Sequence, residues 1–146
     1  MKGMGSIFED TKQQFFKNNI VRQLLFINAG VFLLLLFSSI SLNLFKGSNG
    51  FLMHILALNS DLSTLIYTPW TLFTYMFTHA GIGHIFWNML MFYFVGTFFL
   101  QMLGSKHLLT LYIFGGLSGG LLFVIGYNVF PALQGGIGLP LVGASG

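Results

Sequence analysis

The sequence predicts an all-α fold, a polytopic transmembrane helix bundle with about three complete spans plus the start of a fourth. Three observations predict it. Only 6% of the 146 residues are charged, where a soluble domain carries roughly a quarter. Hydrophobic residues make up 55% and aromatics 17%, far too apolar for a disordered chain, and the absence of cysteine excludes a disulfide-stapled secreted module. The charge is also segregated: Lys2, Lys12, Lys17 and Arg22 crowd the first 22 residues, and after Gln23 only Lys46, Asp61 and Lys106 carry a formal charge. The net charge of +3 therefore does not describe a nucleic-acid surface, which would cluster basic and stacking aromatic residues on a polar face.

Residues 1–19 are polar and charged, with Phe8, Phe15 and Phe16 spaced for an amphipathic helix on a bilayer surface. Gln23 to Phe45 then runs without a charge, giving a first span over about 22–45, since about 20 helical residues cross a hydrocarbon core. A secretory signal peptide would have a shorter charged region and an apolar run ending by about 15 residues. A second span is expected over 82–103, a third over 108–130, and a fourth starting near Gly143. Residues 20–146 form one transmembrane domain with a loop over 46–81.

Basic residues collect on the cytoplasmic side, so the N-terminal cluster places the N-terminus inside. Lys106 and His107 then return to the inside, while His84, Asn88 and Ser145 meet at the outer mouth of the membrane. Within the loop, 62–80 carries no charge and could be an extra span. Against that, Pro69 interrupts it, and Tyr67, Trp70, Tyr75 and five threonines give it the composition of an interfacial belt. An extra span would also move Lys106 outside. The loop is therefore expected in the outer interface, with a short helix over Phe51 to Leu58.

His84 and Asn88 lie four apart and share one helix face, continued by Met91, Phe92 and Val95. A polar pair in an apolar helix needs partners or a wet cavity. Either residue alone would serve as hydrogen-bonding glue between helices. Ser145 lies in Gly143-Ala144-Ser145-Gly146, after the glycine-rich run Gln134 to Pro140. A soluble hydrolase elbow needs a strand before the serine and a parallel sheet around it, whereas a glycine-rich run leads into the serine here. What distinguishes it is its company: His84, Asn88 and the Ser145 N–H are donors suited to a developing oxyanion, at helix N-termini that favour an anion. Gly115, Gly116, Gly119 and Gly120 form two overlapping G-x-x-x-G pairs, expected to pack within the bundle rather than dimerise. Four scattered histidines without cysteine suggest no metal site, and no cofactor is expected.

Phe77-Thr78-His79-Ala80-Gly81-Ile82-Gly83-His84-Ile85-Phe86-Trp87-Asn88-Met89-Leu90 resembles the second-helix signature of rhomboid intramembrane serine proteases. Leu103-Gly104-Ser105 with Leu108 to Tyr112 resembles that family's turn between helices two and three, and Gly143 to Gly146 its nucleophile motif. The likeness runs from about Pro69 to the C-terminus, and the order and spacing of three motifs make it specific. It implies Ser145 as nucleophile, with His84, Asn88 and the Ser145 N–H stabilising the oxyanion, and His79 as a structural or water-organising residue. Departures are Thr71 after Trp70, where the family often has arginine, and Leu100 with Gln101 where an acidic residue is common. The family's general base, a histidine on the sixth helix, is not among these residues.

His107 is expected on the opposite side of the membrane and His54 and His79 in the outer loop, and His84, the nearest, cannot both donate to the oxyanion and accept the serine proton. A serine without a base is a poor nucleophile. The chain is accordingly expected to be the N-terminal part of a rhomboid protease, inactive alone, acting when complete on transmembrane protein substrates near the outer leaflet. The expected location is a lipid bilayer, multi-pass, N-terminus cytoplasmic, in a bacterial inner membrane. The competing expectation is a non-catalytic rhomboid-like protein that binds transmembrane helices. A channel or transporter would place polar residues through the midplane, where these spans have very few.

Overall fold

The structure, a computed structural model, describes residues 19–44 and 51–143. The amphipathic segment with Phe8, Phe15 and Phe16 lies outside the described residues, as do Lys46, Ser145 and the part of the expected fourth span beyond Gly143. Helix α1, Ile20–Leu44, is 25 residues long, and it contains an 18-residue window with a mean hydropathy of 2.2. At about 1.5 Å per residue it measures about 37 Å, enough to cross a hydrocarbon core.

The connection between α1 and the next long helix is built from short pieces. Helix α2, Phe51–Leu56, stops short of the expected Leu58 because the chain goes on into strand β1, Leu58–Asn59. Its terminal carbonyls are taken up by the Trp70 indole N–H, which donates to Ile55 O at 2.9 Å, and the Thr74 hydroxyl, which donates to Leu56 O at 2.8 Å. Asp61 then caps helix α3, Leu62–Tyr67, accepting from the Ser63 and Thr64 amides and hydroxyls. Pro69 prevents that helix from continuing. Helix α4, Thr71–Thr74, and a 3-10 turn, Tyr75–Phe77, complete a stretch in which no helix is long enough to span.

Ile82–Val129 is helical over 48 residues, a length of about 72 Å if straight, and contains an 18-residue window with a mean hydropathy of 2.1. Gly104 breaks it. Its φ of 79° is in the region an L side chain avoids, and it divides the stretch into α5 (82–103) and α6 (105–129). The rings of Phe92 and Tyr112 meet edge-on with centroids 5.4 Å apart, so the two helices fold back on one another. After α6 comes a second 3-10 turn, Gln134–Gly136, then strand β2, Pro140–Leu141. The two strands pair antiparallel, Leu58 with Leu141 and Asn59 with Pro140.

Part of the loop faces outward and part packs into the bundle. Ile66, Tyr67 and Trp70 are exposed, but Leu58, Leu65, Tyr75 and Met76 turn inward and form the core with Val124 of α6. The glycines of α6 explain the difference. Met76 Sδ occupies the place a Gly116 side chain would take, and carbons of Leu58 and Tyr75 lie 3.0 Å from where a Gly120 Cβ would be. Tyr75 Oη donates to Gly116 O at 2.6 Å. The pair Gly116 and Gly120 thus packs within the bundle, but against the loop, while Gly115 faces open space.

Helix α1 closes on α5 where Val21 meets Gly96, its Cγ2 3.3 Å from the position of a Cβ there. The fully buried Asn28 donates to Leu24 O at 2.7 Å and to Tyr112 Oη at 3.2 Å, tying α1 to α6. The outer surfaces of all three helices are apolar, with Leu34, Phe37, Phe86, Phe94, Phe114 and Leu122 among the exposed side chains. Such a surface is far beyond what a monomer exposes to water, and it suits lipid.

Candidate active site

His84 and Asn88 occupy the first two turns of α5. Asn88 is buried, His84 half-buried, and together with Gly83, Trp87 and Met91 they line an open cavity of about 320 Å³. His79, in the segment leading to α5, folds back over them and is only 2% exposed. Its Nε2 lies 3.0 Å from Asn88 Nδ2, and its ring meets the His84 ring edge-on with centroids 5.3 Å apart. An amide nitrogen only donates, so with Asn88 in this orientation Nε2 is the acceptor and a neutral ring would carry its proton on Nδ1. Burial holds the His79 pKa below its usual 6.5; His84 nearby lowers it further, and the Phe77 backbone pulls weakly the other way.

Gly143 is the last described residue. Its N–H donates to Tyr75 O at 2.8 Å, which holds it directly over the polar pair. A Cβ added there would lie 2.9 Å from His84 Nε2 and 3.1 Å from Asn88 Nδ2, and φ at Gly143 is 94°. Ser145 lies outside the described residues, two positions further on, within a chain reach of about 7 Å. Gly143 itself stands against His84 and Asn88.

Ser60 does much of the positioning. It is fully buried: its N–H donates to Leu139 O at 3.1 Å, its Oγ donates to Gly136 O at 3.2 Å and accepts from Gly138 N–H at 2.8 Å. Its carbonyl accepts from Asn128 Nδ2 of α6 at 2.7 Å. These bonds and the two-residue sheet fasten 134–141 to the loop and aim the chain at Gly143.

The other histidines are elsewhere. His54 is exposed on α2 and lines a separate cavity with Gly138 and Pro140. His107 sits beyond the Gly104 turn, the opposite end of α5 from His84, its Nδ1 2.8 Å from Leu103 O. Among the described residues no three His, Cys, Asp or Glu side chains gather as metal ligands. Sequence reasoning missed the contact of His79 with Asn88 and the roles of Tyr75, Ser60 and Asn128. The one signal for them was the turn-forming run Asn59-Ser60-Asp61.

The Rhomboid domain family model matches residues 67–146. A stretch of 55 residues, 38% of this chain, is 44% identical to RHOMBOID-like protein 12, mitochondrial, of Arabidopsis thaliana, and spans 16% of that protein's length. No solved structure matches. With more than half its length matched by that family, and with its histidine, asparagine and glycine motif brought to one end of an apolar helix bundle, the chain belongs to the rhomboid family of membrane proteins.

Proposed function

We propose that the protein carrying this chain is an intramembrane serine endopeptidase, hydrolysing peptide bonds of transmembrane substrates near the outer leaflet. One observation carries the proposal: Gly143, two residues before Ser145, is held against His84 and Asn88 by the Tyr75 carbonyl. In this reading Ser145 Oγ attacks the scissile carbonyl carbon as a base removes its proton. Charge develops on the carbonyl oxygen and is met by N–H groups of His84, Asn88 and the Ser145 backbone. Collapse expels the amine, which takes the proton back from the base, and water then hydrolyses the acyl-serine by the same steps in reverse order. His79 is engaged by Asn88, and His84 is a donor in the same step, so the base is assigned to a histidine outside these 146 residues. The membrane orientation in this proposal puts the N-terminus in the cytoplasm of a bacterial cell and the cavity at the outer face.

The test is cleavage of a transmembrane reporter by the full-length protein and its Ser145→Ala variant in liposomes. Cleavage is expected to vanish in the variant. Cleavage at the original rate would remove Ser145 from the mechanism, and reporter binding without cleavage by either protein would establish a helix-binding protein instead.

A further inference from the structure

We propose that His79 is a positioning residue which, as the neutral Nδ1–H tautomer, anchors one hydrogen of the Asn88 amide and thereby aims the other at the reacting carbonyl. This rests on the protease reading of Ser145. Asn88 Nδ2 carries two hydrogens roughly 120° apart in one plane. One is spent on His79 Nε2 at 3.0 Å. The same nitrogen is 3.1 Å from where a Gly143 Cβ would stand, so its open side faces the segment that leads to Ser145.

The anchor also decides which way the amide points. With Nε2 as acceptor, only Nδ2 can face it, because an amide oxygen would meet a lone pair. If Nε2 carried a proton, the amide would turn over, bringing Oδ1 to His79 and presenting the wrong end to the serine segment. The surroundings disfavour a charged ring. His79 is 2% exposed, and its Nδ1 is buried without a well-formed hydrogen bond among the described residues. The titratable group facing it is His84 on α5, with ring centroids 5.3 Å apart, and no charged side chain among the described residues acts on it. A cation at His79 would thus be buried beside a second imidazole.

The device differs from a structural hydrogen bond in a measurable way. It needs an acceptor at the Nε2 position and tolerates no donor there. Glutamine can present a side-chain oxygen at about that place; alanine cannot.

The experiment uses the full-length protein in liposomes with a transmembrane reporter, and the same protein bearing Ser145→Ala with ¹⁵N-labelled histidine for NMR. For His79→Ala, kcat is expected to fall about 10- to 100-fold with KM changed less than about twofold, as for a misaimed oxyanion donor. His79→Gln is expected to restore most of that loss. In the NMR spectrum the His79 ring should show unprotonated Nε2 and protonated Nδ1 at neutral pH, and Asn88→Ala should shift the Nε2 resonance. Equal rates in His79→Ala and the parent, no rescue by glutamine in a variant with the parent's thermal stability, or a protonated Nε2 would each overturn the proposal. If instead the Ser145→Ala control cleaves normally, the protease reading itself falls. The NMR result stands apart from that outcome, because it needs no catalysis.

Discussion

Gly143→Ala is the substitution whose consequences the geometry fixes most closely. The added methyl would stand 2.9 Å from His84 Nε2, 3.0 Å from His84 Cε1 and 3.1 Å from Asn88 Nδ2. Comfortable separation between such atoms begins near 3.5 Å, so His84 must yield by about 0.6 Å. Asn88 has less freedom, because its amide is tied to His79. The backbone adds its own cost: φ is 94°, and an L residue on the left-handed side loses about 1–2 kcal/mol. Two effects should separate. Stability, followed by thermal unfolding of the full-length protein in detergent, should fall by about 1–2 kcal/mol. Reporter cleavage should fall further than that loss explains, about 10-fold or more in kcat, because a shift of about 0.6 Å at a donor degrades the reacting geometry. A Gly143→Ala protein that melts and cleaves like the parent would refute the placement of this segment over His84 and Asn88.

The glycines of α6 should divide sharply. Gly116→Ala drives a methyl into Met76 Sδ and should destabilise by about 1–3 kcal/mol, while Gly115→Ala, with nothing within 4 Å, should be neutral or stabilising; unfolding midpoints compare them directly. Ser60→Ala removes the buried hydroxyl that holds the exposed turn at Gly138 and should cost about 0.5–1.5 kcal/mol, with hydrogen exchange rising over 134–141 before it rises in the helices. The hydroxyls of Ser63, then Thr64, and the backbone N–H groups hold the Asp61 carboxyl below its usual 3.8. A lowered carboxylate stabilises the fold above the unfolded value and loses that contribution as pH falls through the folded value, so the stability gap between the parent and Asp61→Ala should be constant at neutral pH and narrow below 3.8. His79 is lowered as well: the unfolded chain takes up its proton first as pH drops below 6.5, so stability should decline from there downward, less steeply in His79→Gln.

The features legible in the sequence are those carried by local periodicity. Charge-free runs located the helices and the spacing of four put His84 and Asn88 on one face, while the turn at Gly104 between α5 and α6 came from the family resemblance of Leu103-Gly104-Ser105. What was not legible depends on contacts between distant backbone groups. The Gly143 N–H to Tyr75 O bond and the pairing of Leu58 with Leu141 leave no pattern in side-chain identity. The position of 75–79 was hidden for another reason. Tyrosine, tryptophan and threonine suit an interfacial belt and equally suit a polar turn buried against glycines. Only the gap at Gly116 and Gly120, seen together with Met76 and Tyr75, tells the two apart.

That placement has a thermodynamic logic peculiar to the bilayer. Apolar helices gain little by leaving lipid for one another, so close packing and hydrogen bonds must hold them. Here the loop supplies both. Tyr75 reaches two elements at once, its hydroxyl donating to Gly116 O of α6 and its carbonyl accepting from Gly143 N–H beside α5. Ser60 and Asn128 repeat the arrangement one layer further out, joining α6 to the glycine-rich run. The polar groups that would be costly in lipid are thus satisfied inside a wedge between the helices. The lipid-facing surface is left free of polar duty, and the position of Gly143 is set by the wedge rather than by contacts between spans. Apolar substitutions on the outer faces of α5 and α6 should therefore disturb the site far less than a single lost hydrogen bond in the loop.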